Sequence, residues 1–198
     1  MKNIIGNSCA SAFITKELLN HEFINPFCWC VIDAESMYNL IKFYDEIKFL
    51  DYDIVKDDNW VFSIIIDNRV KVQFPHYRFE KTCKEQRYYY NDVISNHIWE
   101  YIVTEYDKRI KRMLCYKLPP IFLVGSLHAS HWYSEEWIRK ICSIETKYPI
   151  IISNNYMDFS KDYPHIYFNV SLYKEDGKDN NAVIGMEVFN KYKHLFID

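Results

Sequence analysis

Three short runs, Phe27 to Ile32, Ile121 to Val124 and Pro149 to Ser153, are apolar at almost every position. Strand side chains alternate between the two faces of a sheet, so a run with no polar alternation needs cover on both faces. Between and around these runs lie segments with helical periodicity. Strands alternating with helices predict an α/β domain whose sheet is largely parallel and covered on both faces.

The remaining elements follow from local signals. Asn3 to Ile5 reads as a strand, Gly6-Asn7-Ser8 as a tight turn, and Ala10 to Leu19 as a helix. Ala34 to Phe49 is periodic through Met37, Leu40, Ile41, Tyr44 and Ile47, with Asp33 as its cap. Trp60 to Ile66 and Val70 to Phe74 flank Asp67-Asn68-Arg69, which predicts a hairpin and makes the sheet mixed. A long helix is expected over Asn91 to Leu114, buried through Ile94, Ile98, Tyr101 and Ile102, before Pro119-Pro120 end it. Ser134 opens a helix that runs to about Ile144, Ile166 to Leu172 forms a further strand, and Ala182 to Phe196 forms a closing helix. With only 4 glycines and 6 prolines no linker is visible, and residues 1–198 read as a single domain.

Composition narrows the function classes. The chain is 49% hydrophobic and 26% charged, which fits a globular protein rather than a disordered one. Its apolar runs fall far short of a membrane span, and the start lacks the apolar core of a signal peptide, so a cytoplasmic location is expected. A net charge of -3 argues against general nucleic-acid binding. The 6 cysteines are scattered through a chain without a secretion signal, which points to reduced thiols. Cys28-x-Cys30 lacks the spacing and second pair of a zinc site, so no metal is expected.

Cys9 carries the sharpest chemical signal. Placed where a helix starts directly after a strand, a thiol meets unpaired backbone N–H groups and the positive helix end, which favour the thiolate. The competing reading is a small apolar residue in the core. A thiol nucleophile needs a base, and His76, after the Val70 to Phe74 strand, is the first candidate; His128 and His131, after Ile121 to Val124, are its rivals. Asn7 is placed to donate to an oxyanion or to orient the base. Arg109 and Arg112 share a helix face and could hold a phosphate or carboxylate, although such a cluster is more often a solvated helix end complementing the helix dipole. Flat aromatic faces, Trp29 and Tyr77 among them, suit a sugar.

The segments IIGNSCASAFITKELL, INPFCW, VKVQFPHYRF and YDKRIKRM ahead of PPIFLVGS resemble, in order and spacing, a family of unknown function numbered nineteen-nineteen. Its members are often encoded in exopolysaccharide and capsule clusters. The corresponding residues are Asn7 to Cys9, Asn25-Pro26, His76-Tyr77, and Arg109 with Arg112. The layout is also similar to papain-like cysteine peptidases with a Pro-Phe-Asp-Trp element, matched here by Pro26-Phe27-Cys28-Trp29. The opening Gly-Asn-Ser-Cys further resembles a capsule-biosynthesis acetyltransferase family that binds coenzyme A. The chain departs from the pattern at Gly125 to His131, where relatives carry an acidic, arginine-containing element.

The resemblance implies a three-layer Rossmann-like fold and supplies no reaction; the chemistry of the residues, together with the capsule-cluster association, points first to a cysteine-dependent acyltransferase or hydrolase with a Cys9-His76 dyad. An acyl-coenzyme A would be the donor, and a saccharide or nucleotide-sugar precursor the partner. Two alternatives stand beside it. A glycosyltransferase would use Asp51-Tyr52-Asp53 or Asp57-Asp58 to hold a metal, and a non-catalytic glycan- or nucleotide-binding module would not need Cys9 and His76 to approach.

Overall fold

A computed structural model describes residues 2–7, 10–12, 14–15, 25–28, 30–56, 61–78, 92–125, 133–154, 159–170 and 180–197. The strands are β1 (Asn3–Gly6), β2 (Val31–Ile32), β3 (Tyr52–Lys56), β4 (Val61–Ile66), β5 (Val70–Arg78), β6 (Pro120–Gly125), β7 (Ile150–Asn154) and β8 (Tyr167–Val170). The helices are α1 (Ala34–Lys42), α2 (Asp92–Tyr116), α3 (Glu135–Cys142), α4 (Asn180–Lys191) and α5 (Lys193–Phe196), and residues 10–12 and 14–15 are also helical.

The strands divide into two sheets. One is parallel throughout, in the order β1-β6-β7-β8, and the other is antiparallel, in the order β2-β5-β4-β3. The hairpin therefore does not join the parallel strands, as the sequence suggested. It finds its own partners in β2 and in β3, an edge strand that the alternating Tyr52-Asp53-Ile54-Val55-Lys56 conceals among charged residues.

The apolar runs of β6 and β7 behave as the two-faced reading requires. Ile4, Ile121, Leu123 and Ile151 join one core cluster with Ala10, Ile14, Ile184, Val188 and Phe196. Ile5, Phe122, Val124, Ile150 and Ile152 join another with Val72, Met113, Ile138 and Ile141. Each parallel strand thus sends alternate side chains into different cores. The order β1-β6-β7-β8 follows the chain in one direction, so these four strands contain no reversal of the kind that opens a crevice in doubly wound sheets.

Local chemistry sets the element ends. The Asp33 side chain accepts from the Ser36 backbone N–H at 2.7 Å and caps α1, which stops at Lys42 rather than Phe49. Asp67 and Asn68 take φ of 51° and 52°, a left-handed pair matched to the strand twist of a hairpin. Among the described residues of Phe27 to Ile32 only Val31–Ile32 are strand, because the Asn25 side chain accepts from the Phe27 N–H at 2.9 Å and folds residues 26–28 into a turn. β5 runs on through His76 and Tyr77 instead of ending at Phe74. Its register jumps from Phe62↔Phe74 to Val61↔Arg78, and Pro75 falls inside that shift, where the ladder has no need of its missing N–H. The expected buried face of α2 at Ile94, Ile98, Tyr101 and Ile102 lies outside the described side chains; further along, the helix buries Tyr106, Ile110 and Met113.

Gly6 is where the first helical residues come back over β1. A Cβ there would stand 2.5 Å from Ser11 Cβ, 2.7 Å from Ser11 Oγ and 3.2 Å from the Leu123 carbonyl oxygen. Gly6→Ala is therefore expected to cost about 1–3 kcal/mol in urea unfolding, the usual range for overpacking. Ser11→Gly in that background should recover part of the loss. A neutral Gly6→Ala would contradict this close approach.

Candidate functional site

At the carboxyl ends of β1 and β6 the Asn7 side chain replaces the next rung of the ladder. Its Nδ2 donates to the Gly125 carbonyl at 2.7 Å, and its Oδ1 accepts from the Gly125 N–H at 2.8 Å. Asn7 is buried, so this reciprocal pair satisfies two backbone groups that water does not reach. The Tyr133 hydroxyl lies close enough to the Asn7 amide for the amide to oppose the rise in its pKa. That hydroxyl in turn donates toward the Ile32 carbonyl at 2.8 Å and the Asp33 carbonyl at 3.1 Å. One buried polar cluster therefore ties together the end of β1, the end of β6 and the β2–α1 junction.

Burial pushes the Tyr133 phenol well above its ordinary pKa, the Asn7 amide opposing the shift and the Asp33 and Cys30 charges adding to it. Tyr133 is a neutral hydroxyl at physiological pH and serves to hold the cluster together. Beside it, Asp33, Ala34, Glu35, Gln73 and Trp137 line an open depression of about 360 Å³. Lys140 covers the Trp137 ring at 4.5 Å and the Tyr38 ring packs beside it at 6.1 Å, so the indole is fixed from its own side of the depression.

Of the residues singled out in the sequence, Asn7 lies in this cluster. Cys9 lies outside the described residues, between Asn7, where β1 has ended, and Ala10, where the chain is helical. Trp29, His128 and His131 also lie outside them. His76 and Tyr77 are placed as backbone in β5, within a strand of the antiparallel sheet rather than after a strand end. Arg109 and Arg112 come together in a small cavity with Asn3 and Asn25, at the amino end of β1. They are separated from Asn7 by the length of that strand, roughly 13 Å over four residues. Asp51 and Asp53 are exposed on either side of Tyr52 at the start of β3, and Asp57-Asp58 lie outside the described residues. Among the described residues no group of three His, Cys, Asp or Glu is placed to hold a metal.

Four cysteines are described. Cys28, Cys30 and Cys142 are buried, and Cys115 is exposed. Cys30 Sγ donates to the Phe27 carbonyl at 2.7 Å. Burial pushes the Cys142 thiol up to about 12, which removes it as a nucleophile near neutral pH. No described helix is long and apolar enough to cross a membrane.

Tyr133 and Gly125 were not legible as partners of Asn7, since contacts over more than a hundred residues leave no local pattern. The turn-forming role of Asn25 was legible in principle, because an Asn before Pro is a turn signal.

The buried phenols give the fold a pH signature. Burial raises Tyr44 to about 12 and pushes Tyr106 and Tyr133 well above their ordinary value. A pKa raised in the fold stabilises fully below the unfolded value near 10; above that pH the unfolded chain gives up its protons first, and stability falls. The urea midpoint should therefore decline above about pH 10, and Tyr133→Phe should flatten the decline. An unchanged slope in that variant would mean that Tyr133 ionises as freely in the fold as outside it. Comparison with protein-family models, curated proteins and solved structures returns no match, so the reading of this site rests on its own geometry.

Proposed function

We propose that the chain is a cysteine-dependent acyltransferase or hydrolase of surface-polysaccharide biosynthesis, acting in the cytoplasm on a saccharide or nucleotide-sugar precursor. Cys9 is the nucleophile, His76 its base, and an acyl-coenzyme A the donor. The observation that carries this reading is the polar cluster around Asn7. It fixes the chain two residues before Cys9 by side-chain bonds to Gly125, while the close approach of Ser11 to Gly6 fixes it two residues after. A strand, a tight connection and a helical start are the local features that lower a thiol pKa. Two cores flanking the parallel sheet support the Rossmann-like, three-layer reading.

In the reaction, His76 takes the Cys9 proton and the thiolate adds to the acyl carbonyl carbon. The tetrahedral intermediate collapses as the bond to the donor sulfur breaks, and the imidazolium returns its proton to the departing thiolate. A Cys9 thioester remains. An acceptor hydroxyl, or water in the hydrolytic case, then gives its proton to His76, attacks the thioester and releases the Cys9 thiol. Asn7 acts as a positioning residue through Gly125 and Tyr133. The Trp137 depression next to this cluster has the aromatic wall and planar polar groups that suit a polyol acceptor.

Alkylation mapped by mass spectrometry tests the chemistry, with exposed Cys115 as the internal standard. Cys9 should react about 10- to 100-fold faster than Cys115 near neutral pH, and His76→Ala should remove most of that advantage. Acyl-coenzyme A should leave an acyl mass on the wild type and none on Cys9→Ser. Equal labelling of Cys9 and Cys115, unaffected by His76→Ala, would end the covalent reading in favour of a glycosyltransferase or glycan-binding role. Slowing by His128→Ala or His131→Ala instead would move the base to that residue.

A further inference from the structure

The basic run on α2 divides by face. Lys108 and Lys111 point outward and pair with Glu105 at 3.5 Å and with Asp107. Arg109 and Arg112, three residues apart, turn instead to a cavity walled by Asn3, Asn25, Met113 and Leu118 at the amino ends of β1 and β6. Arg109 is mostly covered, and the Glu105 carboxylate stands 3.6 Å from its Nε.

The asparagines of this cavity differ in how they are satisfied. Asn25 Nδ2 donates to Asn3 Oδ1 at 2.9 Å and to the Ile4 carbonyl at 2.6 Å, and its Oδ1 accepts from the Phe27 N–H. Asn3 is 5% exposed, and its Nδ2 makes no hydrogen bond of normal geometry, although the amide lies close enough to the Tyr44 hydroxyl to oppose the rise in that phenol's pKa. An unpaired buried donor costs about 1–3 kcal/mol and calls for an acceptor.

We propose that this cavity binds one anionic oxygen of a phosphate or carboxylate group, held between the Arg109 and Arg112 guanidinium groups and the Asn3 amide. Its volume of about 20 Å³ sets the size of the occupant. A water needs roughly 10–15 Å³ by the same measure, so a single oxygen enters while the rest of the ligand stays outside. The site lies at the far end of β1 from Asn7, so it is separate from the Cys9 chemistry. A ligand here bridges α2 to the start of the parallel sheet.

Inorganic phosphate and acetate, titrated separately into the full chain, test the proposal. At least one should raise the melting temperature and shift the Asn3 side-chain amide in a 1H–15N spectrum, and the stronger of the two identifies the group. Arg109→Gln and Arg112→Gln should each weaken that binding by about 10-fold or more, whereas Lys108→Gln should leave it unchanged. Should either arginine variant fail to fold, Asn3→Asp serves in its place: it keeps the acceptor for Asn25, sets a carboxylate against the anion and should abolish binding. Cys9→Ser should bind as the wild type does, which separates this result from that of the alkylation experiment. Absence of an Asn3 shift with both anions, or equal loss in Lys108→Gln and Arg109→Gln, would overturn the site.

Discussion

The reciprocal hydrogen bond between the Asn7 side chain and the Gly125 backbone is the interaction on which the carboxyl end of the parallel sheet depends. An amide can copy a backbone peptide unit, donating and accepting at once, so Asn7 extends the β1–β6 ladder past the point where β1 itself stops. Without it two buried backbone groups lose their partners, each worth about 1–3 kcal/mol. The same amide lies beside the Tyr133 hydroxyl. Gly125 and Tyr133 thereby meet at the residue two positions before Cys9.

The two ends of β1 are built for different chemistry. At the carboxyl end the polar groups are neutral and satisfied: an amide, a phenol held in its protonated form, and peptide carbonyls. Such a cluster fixes geometry and contributes little charge. At the amino end two arginines line a small cavity beside a buried amide whose Nδ2 has no hydrogen bond of normal geometry. Arginines beside an unsatisfied donor are suited to capture an anion, and the strand length between the ends separates this cavity from the Asn7 cluster.

Much of the fold was legible because its signals are local. The two-faced burial of Ile121 to Val124 follows from a run with no polar position, the α1 cap from Asp33, and the hairpin from Asp67-Asn68 with their tolerance of positive φ. The separation into two sheets was not legible, since which strands pair is decided by partners distant in the chain. β3 was hidden for the opposite reason: as an edge strand it carries Asp53 outward, and charge on an edge looks like a loop. β5 runs past the expected end at Phe74 because Pro75 falls in an irregular part of the ladder, where its missing N–H is not needed. In the candidate site Asn7 was visible as a turn residue, but its bond to Gly125 spans 118 positions and only the fold reveals it. The arginine pair was legible as a pair, and the cavity that receives it was not.

Native-state hydrogen exchange of the Gly125 amide tests the central claim most directly. A donor locked to Asn7 Oδ1 in the interior should open only with the global unfolding of the sheet, so its protection should match that of the core strand amides of β6. In Asn7→Ser, whose shorter side chain cannot span the pair, that protection should collapse while the amides in the middle of β6 keep theirs. A Gly125 amide that exchanges in the wild type as fast as an exposed loop amide would contradict the account.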